Sequence, residues 1–482
     1  MGSPTTKGPR DLPPTMDTDN SLRRVNSSPS RGFETVMTDM TLRPSQSLGA
    51  DRETPMKHKL DRFGFILNMD SHGNVHEHDE PEPIRTFAAQ KRVDVRTRKW
   101  NVMLFGTGSN STKTSNRKFM GSLHHRKLKS RLRKGVPDTQ RAAVWCRLAG
   151  VAEKIKTHPG TYKRLVQQSV LQNPRYHFVV GSGMPSSTSP TPTKTSFRNI
   201  QETIERDIHR TFPRHSMFFE RVQEEAEEDE NDPERSPTDI CGTTEISDMI
   251  RELERSQRLL DTPQEPSAHP DHVPASRVLE GRGGQASLRR VLKAYSLYDR
   301  EIGYCQGMNF IAGMFLTLMT EEEAFWLLVA VMNDKPCCMR GLFGEGMRET
   351  HQVLYVAEKL IHQFLPKLAR HFDKEHLHIT MFATQWLLTQ FTSSFPFELV
   401  TRVWDCFLQE GWKITYRVML ALLSTNQSNI LQHGFEEILA LFRELPDRVE
   451  GSIVLEAALK IPLRSSQILK YEQEWQQSHP LS

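Results

Sequence analysis

The 482 residues, 37% of them apolar, with a negative mean hydropathy, have length enough for two or three domains but apolar content for one good core and much unpacked polypeptide. A formal net charge of +4 is small for this length and gives no argument for nucleic acid, nor is a basic helix with interleaved aromatics expected. Six cysteines, at 146, 241, 305, 337, 338 and 406, form no pairwise framework and no hydrophobic leader opens the chain, so reduced thiols in a cytoplasmic protein are expected. The longest strongly apolar run, Phe325 to Met332, is far short of the roughly 20 residues of a membrane-spanning helix.

In chain order, residues 1–58 are rich in Ser, Thr, Pro and Arg with almost no aromatics, a composition that predicts a disordered tail. Aromatic residues return at Phe63, Phe65, Phe87 and Trp100, so residues 59–114 are expected to form an extension packed on the main domain. The helical core is expected to begin at Ser115, with residues 115–222 as its first part. Gly135, Pro137 and Asp138 predict a turn that feeds a helix through Gln140 to Leu148. Gly181 to Thr195, rich in Ser, Thr and Pro, reads as a loop. A helix over 197–212 follows, with Phe197, Ile200, Ile204 and Ile208 as its buried stripe. On that helix Arg210 is turned about 120° from Ile204, at the rim, and Pro213 stops the segment.

Residues 223–284 break the pattern and are expected to be a disordered insertion with a short helix around Ile246 to Leu260. Its acidic run, Glu224 to Glu234, reads as a solvated tail, or else as a decoy for a basic partner surface. Helical order resumes at Ala286, where Leu288, Val291, Leu292 and Tyr295 fall at i, i+3, i+4, i+7. Further stripes at 321–333, 351–372, 378–393, 397–410, 414–432 and 434–444 make residues 285–475 the second part of the domain. Strand-like alternation is scarce, and the fold class is all-α.

Two short segments carry the chemistry. One is Ile204-Glu205-Arg206-Asp207-Ile208-His209-Arg210; the other is Tyr304-Cys305-Gln306-Gly307-Met308-Asn309. Arginine and glutamine are the side chains that accelerate GTP hydrolysis, the first by neutralising charge on the transferring phosphoryl group, the second by orienting the attacking water. Taken singly, an arginine at a helix end also caps carbonyls and a glutamine in a turn also serves as a surface hydrogen-bonder.

Together these segments resemble the TBC-domain family of Rab GTPase-activating proteins. Arg133-Lys134-Gly135-Val136-Pro137-Asp138, followed by Arg141 and Trp145, is similar to the family's first motif. Ile204, Asp207 and Arg210 resemble the second, Tyr304 to Asn309 the third, and Arg402-Val403-Trp404-Asp405 a further landmark. The resemblance spans roughly residues 96–445. It implies that Arg210 is an arginine finger and Gln306 a glutamine finger, both supplied in trans to a Rab-family small GTPase in its GTP form. By the same resemblance GTP and Mg²⁺ belong to the partner, the chain has no cofactor or metal and no autonomous activity, and it is cytoplasmic and transiently on endomembranes.

Asp207 is expected either to steady the Arg210 guanidinium or to pair, as an ordinary helix carboxylate, with Arg206 or Arg214. Gly303 and Gly307 permit close backbone approach, while Tyr304 and Asn309 are expected to hold the turn in shape. Arg141, Trp145, Arg402, Trp404 and Asp405 are expected to form a structural frame, since an indole needs a burial site and a partner for its N–H, or else to contact the Rab. The rival reading is a non-catalytic TBC-type scaffold that binds a small GTPase without stimulating it.

Other signals point less far. His72, His76 and His78 near Asp70 and Asp79 lack the glycine of a calcium loop and any zinc-type spacing, and read as a solvated turn. Gly106-Thr107-Gly108 with Lys113-Thr114 lacks the glycine that precedes a P-loop lysine. Cys305 reads as a small buried thiol. Met1-Gly2-Ser3-Pro4-Thr5-Thr6 fits a myristoylation pattern, with Pro4 awkward in it. Arg24 to Pro29 resembles a kinase site whose product at Ser27 a 14-3-3-type adaptor could bind.

Overall fold

The computed structural model describes residues 59–67, 87–105, 122–171, 192–219 and 283–480. The expected tail, the histidine turn, the P-loop-like segment, the myristoylation and kinase patterns and all but the last two residues of the insertion lie outside the described residues.

Every extended element described is a helix, apart from isolated bridges at Leu60–Ile66 and Phe65–His215. The first part of the domain runs α1 Phe87–Phe105, α2 Ser122–Lys134, α3 Asp138–Leu148, α4 Val151–Thr157, α5 Thr161–Leu171 and α6 Pro192–His209. The second opens with α7 Gly284–Tyr298, α8 Met308–Leu316 and α9 Glu321–Asn333, then α10 Arg348–Phe364, α11 Pro366–Lys374 and α12 Ala383–Leu388. It closes with α13 Phe397–Glu410, α14 Trp412–Thr425, α15 Gln427–Ile430, α16 Phe435–Arg448, α17 Gly451–Lys460 and α18 Ser465–Ser478.

The core is set by the helices that are apolar on every side, since such a helix must be covered all round. All of α8 is buried, as is α9 from Ala324 to Met332. Around them α7 packs on α5, α6, α8 and α9, and α13 packs on α2, α3, α14 and α17. Helix α9 starts where the sequence stripe starts, at a capping box in which the Thr320 backbone N–H donates to Glu323 at 3.1 Å.

Four expected boundaries are corrected. The 351–372 stripe is two helices, because Leu365 precedes Pro366 and adopts φ −131°, ψ 55°, outside the helical region. The 378–393 stripe holds a 3₁₀ turn, Ile379–Met381, and only the short α12, after which Gln390 and Phe391 take left-handed φ values of 51° and 65°. The 414–432 stripe divides after Thr425 at Asn426. Residues 192–195, read as loop, are the first turn of α6: proline fits the first helical position, where its missing N–H is not needed.

The two halves are stitched where residues 220–282 depart and return. The Gly284 N–H donates to the Met217 carbonyl at 3.1 Å, and Gln285 Nε2 donates to the Phe218 carbonyl at 3.0 Å. A Cβ at Gly284 would stand 2.4 Å from the Met217 carbonyl oxygen, so only glycine permits this crossing.

Candidate functional site

Helix α6 is fixed by the i, i+4 spacing of Ile204 and Ile208, both fully buried, and by Glu205, which accepts from Arg289 at 2.9 Å and pairs with Lys293 at 3.2 Å on α7. It ends at His209, three residues earlier than its sequence pattern predicts. The Thr211 N–H bonds back to the Ile208 carbonyl at 3.0 Å, and the Thr211 hydroxyl donates to the Asp207 carbonyl at 2.7 Å, which uses up the last turn. Phe212 then takes φ 46° before Pro213. Arg210 therefore projects from a turn just past the helix, and not from the helix.

The residues after Arg210 are wedged in place. The Phe212 ring lies 5.0 Å from Phe397 and 6.1 Å from Phe65, and Phe65 lies 4.8 Å from Phe397. Ile66 N donates to the Arg214 carbonyl at 2.8 Å and Ser216 N to the Gly64 carbonyl at 2.9 Å. Segment 59–67 is thus a prop beneath the arginine turn.

The glutamine turn links α7 to α8. Gly303 has φ 63° and approaches Ile200 of α6 so closely that a Cβ would meet its Cδ1 at 2.7 Å. Gly307 has φ 106°, a conformation that L side chains rarely adopt, and its N–H donates to Asn309 Oδ1 at 3.0 Å. Asn309 is fully buried and its Nδ2 donates to the Thr211 hydroxyl at 2.8 Å, lacing the start of α8 to the end of α6. At the entry to the turn, Asp299 accepts two bonds from Arg340, at 2.7 and 2.9 Å. Gln306 sits half-buried at the crest.

Asp207 joins the two turns. One carboxylate oxygen accepts from Arg210 Nη2 at 2.6 Å, the other from the Tyr304 hydroxyl in a short bond. Arg206 and Arg214 go elsewhere, to Thr203 Oγ1 at 3.1 Å and the Ile66 carbonyl at 3.1 Å. Burial pushes the Asp207 carboxyl up from the ordinary range, with the Tyr304 bond and Arg210 acting against it. The Arg210 side chain is 24% exposed against 6% for Asp207, so part of the arginine reaches the surface while its anchor does not. Burial likewise pushes the half-buried Cys305 thiol up to about 11, far from the range of a reactive thiolate.

The remaining motif residues gather around a second carboxylate, Asp405. It accepts from Trp145 Nε1 at 2.9 Å, from Arg141 Nε at 3.3 Å and from the Val136 N–H at 3.0 Å, and Arg402 stands 3.7 Å away. Arg141 also donates to the Val136 carbonyl at 2.9 Å and pairs with Asp138, while Trp404 Nε1 donates to Thr392 at 3.0 Å. Gly135, φ 99°, lies under Arg402, which donates to the Arg133 carbonyl at 2.8 Å, and Pro137 caps α3. Burial pushes the Asp405 carboxyl up, opposed by Arg141 and Arg402.

Sequence reasoning missed Thr211, Arg340 and Glu410. Thr211 had one available signal, a hydroxyl directly after the arginine. Glu410 accepts from Arg133 at 2.6 and 2.7 Å and from Lys129 at 3.0 Å, a tie that clamps α2 onto α13 across 277 residues of sequence.

The family model described as Rab-GTPase-TBC domain matches residues 267–431, a stretch that contains Gln306 and begins after Arg210. The human Ecotropic viral integration site 5 protein homolog is 40% identical over 195 residues, 40% of this chain and 24% of that protein. The Caenorhabditis elegans Rab GTPase-activating protein tbc-11 is 29% identical over 346 residues, 71% of this chain and 28% of that protein. Mouse Carabin is 28% identical over 410 residues, 83% of this chain and 68% of that protein. Among solved structures, the Chlamydomonas flagellar RabGAP TBC domain aligns with 83% of this chain and 99% of its own at 25% identity, with a TM-score of 0.49. The first three curated relatives are matched over only about a quarter of their length.

Proposed function

We propose, from the premise that this chain carries a Rab-GTPase-TBC domain, that it is a GTPase-activating protein for a Rab-family small GTPase. In this reading Arg210 neutralises charge on the transferring phosphoryl group and Gln306 orients the attacking water, both in trans, while GTP and Mg²⁺ stay with the GTPase. The observation that carries it is the Asp207 carboxylate, which holds the Arg210 guanidinium with one oxygen and the Tyr304 hydroxyl of the glutamine turn with the other. Two segments almost a hundred residues apart in sequence are thereby presented as one constellation, with the cation at the rim. Phosphoryl transfer is accelerated mainly by positioning and charge stabilisation, so pre-set side chains are what a partner can contribute. The planar donor fork of arginine suits this task, and a lysine does not reproduce it.

The test is stimulated GTP hydrolysis across a panel of Rab proteins. Arg210→Ala and Arg210→Lys are expected to lose on the order of 10³–10⁵ in stimulated rate. Gln306→Ala is expected to lose about 10–10³-fold, and the double variant to resemble Arg210→Ala, because groups serving one transition state are not additive. Binding to a Rab with a ground-state GTP mimic survives in Arg210→Ala, whereas binding to an aluminium-fluoride complex weakens sharply. Undiminished stimulation by Arg210→Ala would remove the finger assignment. A wild-type chain that binds one Rab tightly and stimulates none is a scaffold.

A further inference from the structure

Helices α1 and α2 flank an open groove of about 460 Å³ with seven cationic residues among its ten lining ones. Arg92, Arg96 and Lys99 line it from α1, and Arg126, Lys127 and Lys134 from α2. Arg131 also lines it and spans it, its Nη1 donating to the Lys99 carbonyl at 2.9 Å. Among the described residues no acidic side chain lines the groove. Helix α2, basic along its length, carries no Phe, Tyr or Trp.

The cations of α2 are sorted by face. Lys129 and Arg133, at i and i+4, turn to Glu410 of α13 and pair with it there. Arg126, Ser130 and Lys134, at i, i+4 and i+8, and the adjacent Lys127 face the groove with no carboxylate opposite them in its wall. The walls are also fixed in place: Trp100 Nε1 donates to the Gly135 carbonyl at 3.4 Å, and Gln140 Nε2 reaches the Thr97 carbonyl at 3.2 Å. A side chain wedge of buried Trp100 therefore sets the spacing of the two basic rows.

We propose that this groove is a docking surface for the phosphate-bearing headgroups of an anionic membrane leaflet. Clustered Lys and Arg on a helix face are attracted by the negative surface potential of such a leaflet. Two exposed apolar side chains accompany them on α1: Val95, 37% exposed and in the groove wall, and Val102, 52% exposed and seven residues on along the same helix face. Cations flanked by exposed aliphatic groups match the headgroup–acyl boundary. Single-stranded nucleic acid would call for aromatic stacking platforms, and the one aromatic side chain here, Trp100, is fully buried.

The test is flotation of the full chain with vesicles of phosphatidylcholine alone and of phosphatidylcholine mixed with phosphatidylserine, no GTPase being present. The wild type is expected to float with the anionic vesicles only, and less as salt is raised. Each cation near the surface is worth about fivefold in partition, so Arg92→Gln/Arg126→Gln/Lys127→Gln should weaken it on the order of a hundredfold with an unchanged melting temperature. If the triple variant is unstable, Lys127→Gln alone should lose about fivefold. Equal flotation of wild type and variants would overturn the proposal. So would a wild type that ignores anionic vesicles but binds duplex DNA, polyphosphate or an acidic peptide through the same residues. Because vesicle binding is read without hydrolysis, its failure leaves the GTPase-activating reading standing.

Discussion

Asp207 and Asp405 are built alike and used differently. Each is a buried carboxylate at the centre of a motif, each meets an arginine and the polar hydrogen of an aromatic side chain, and each is pushed up by burial. Around Asp405 the hydrogen-bond donors Val136, Arg141 and Trp145 close inward, the Arg141 side chain 3% exposed and Trp145 fully buried, while Arg402, 25% exposed, stands 3.7 Å off. Around Asp207 the hydroxyl of Tyr304 closes inward, whereas the hydrogen-bonded arginine, Arg210, stays 24% exposed. The first arrangement fixes a frame. In the proposed reading, the second holds one side chain in position for its charge to act on a partner.

The largest effect expected is at the frame. Asp405→Ala strands Arg141 and the Trp145 N–H in the interior and should destabilise the domain by about 3–5 kcal/mol, read by chemical denaturation. Activity should fall only in step with the folded fraction; a well-folded Asp405→Ala chain without stimulation would erase the distinction between the two sites.

At the other aspartate the order should reverse. Asp207→Asn keeps the shape and removes the charge that holds the guanidinium, so stimulated hydrolysis should fall by about 10–100-fold, the scale of a lost supporting contact, with only a small shift in melting temperature. Equal proportional losses of stability and rate would make Asp207 another frame residue.

Smaller again, Tyr304→Phe removes one charge-assisted bond, worth about 1.5–3 kcal/mol. The loss should be concentrated in stability, with activity recovering at lower temperature.

The mildest probe is pH. Burial raises the Glu410 carboxyl, but Arg133 and Lys129 more than offset this and hold it below its ordinary 4.5. A depressed folded value means the stabilisation is present above the ordinary value and is lost as pH falls through the folded one. Acid melts of Glu410→Gln should therefore be flatter than wild type below that value, and the two should converge at the lowest pH.

What could be read in advance follows from how local the cause is. Helices 321–333 and 397–410 were visible to the residue because their caps and apolar stripes lie within one segment. The end of α6 was not, because Thr211 and Asn309 trim it through bonds that join two segments. The motif residues could be named singly, but nothing local says that Asp207 chooses Arg210 over Arg206. The basic groove was hidden by summation: eight acidic residues between Glu224 and Glu234 offset it in the net charge. Only the fold, which seats α1 on α3 and lays it beside α2, brings its two rows together.

The bond between Gly284 and Met217 has one more consequence. Where residues 220–282 leave and rejoin, the fold is already tied by hydrogen bonds, and α7 seats on α5 and α6 regardless of what connects them. Covalent continuity should then be dispensable at this point. Two polypeptides severed within that span should assemble into one domain when co-expressed, with Arg210 carried by one and Gln306 by the other. Catalytic stimulation would become a bimolecular property that fades on dilution, so that the molecule could be run as a two-component reporter of its own assembly.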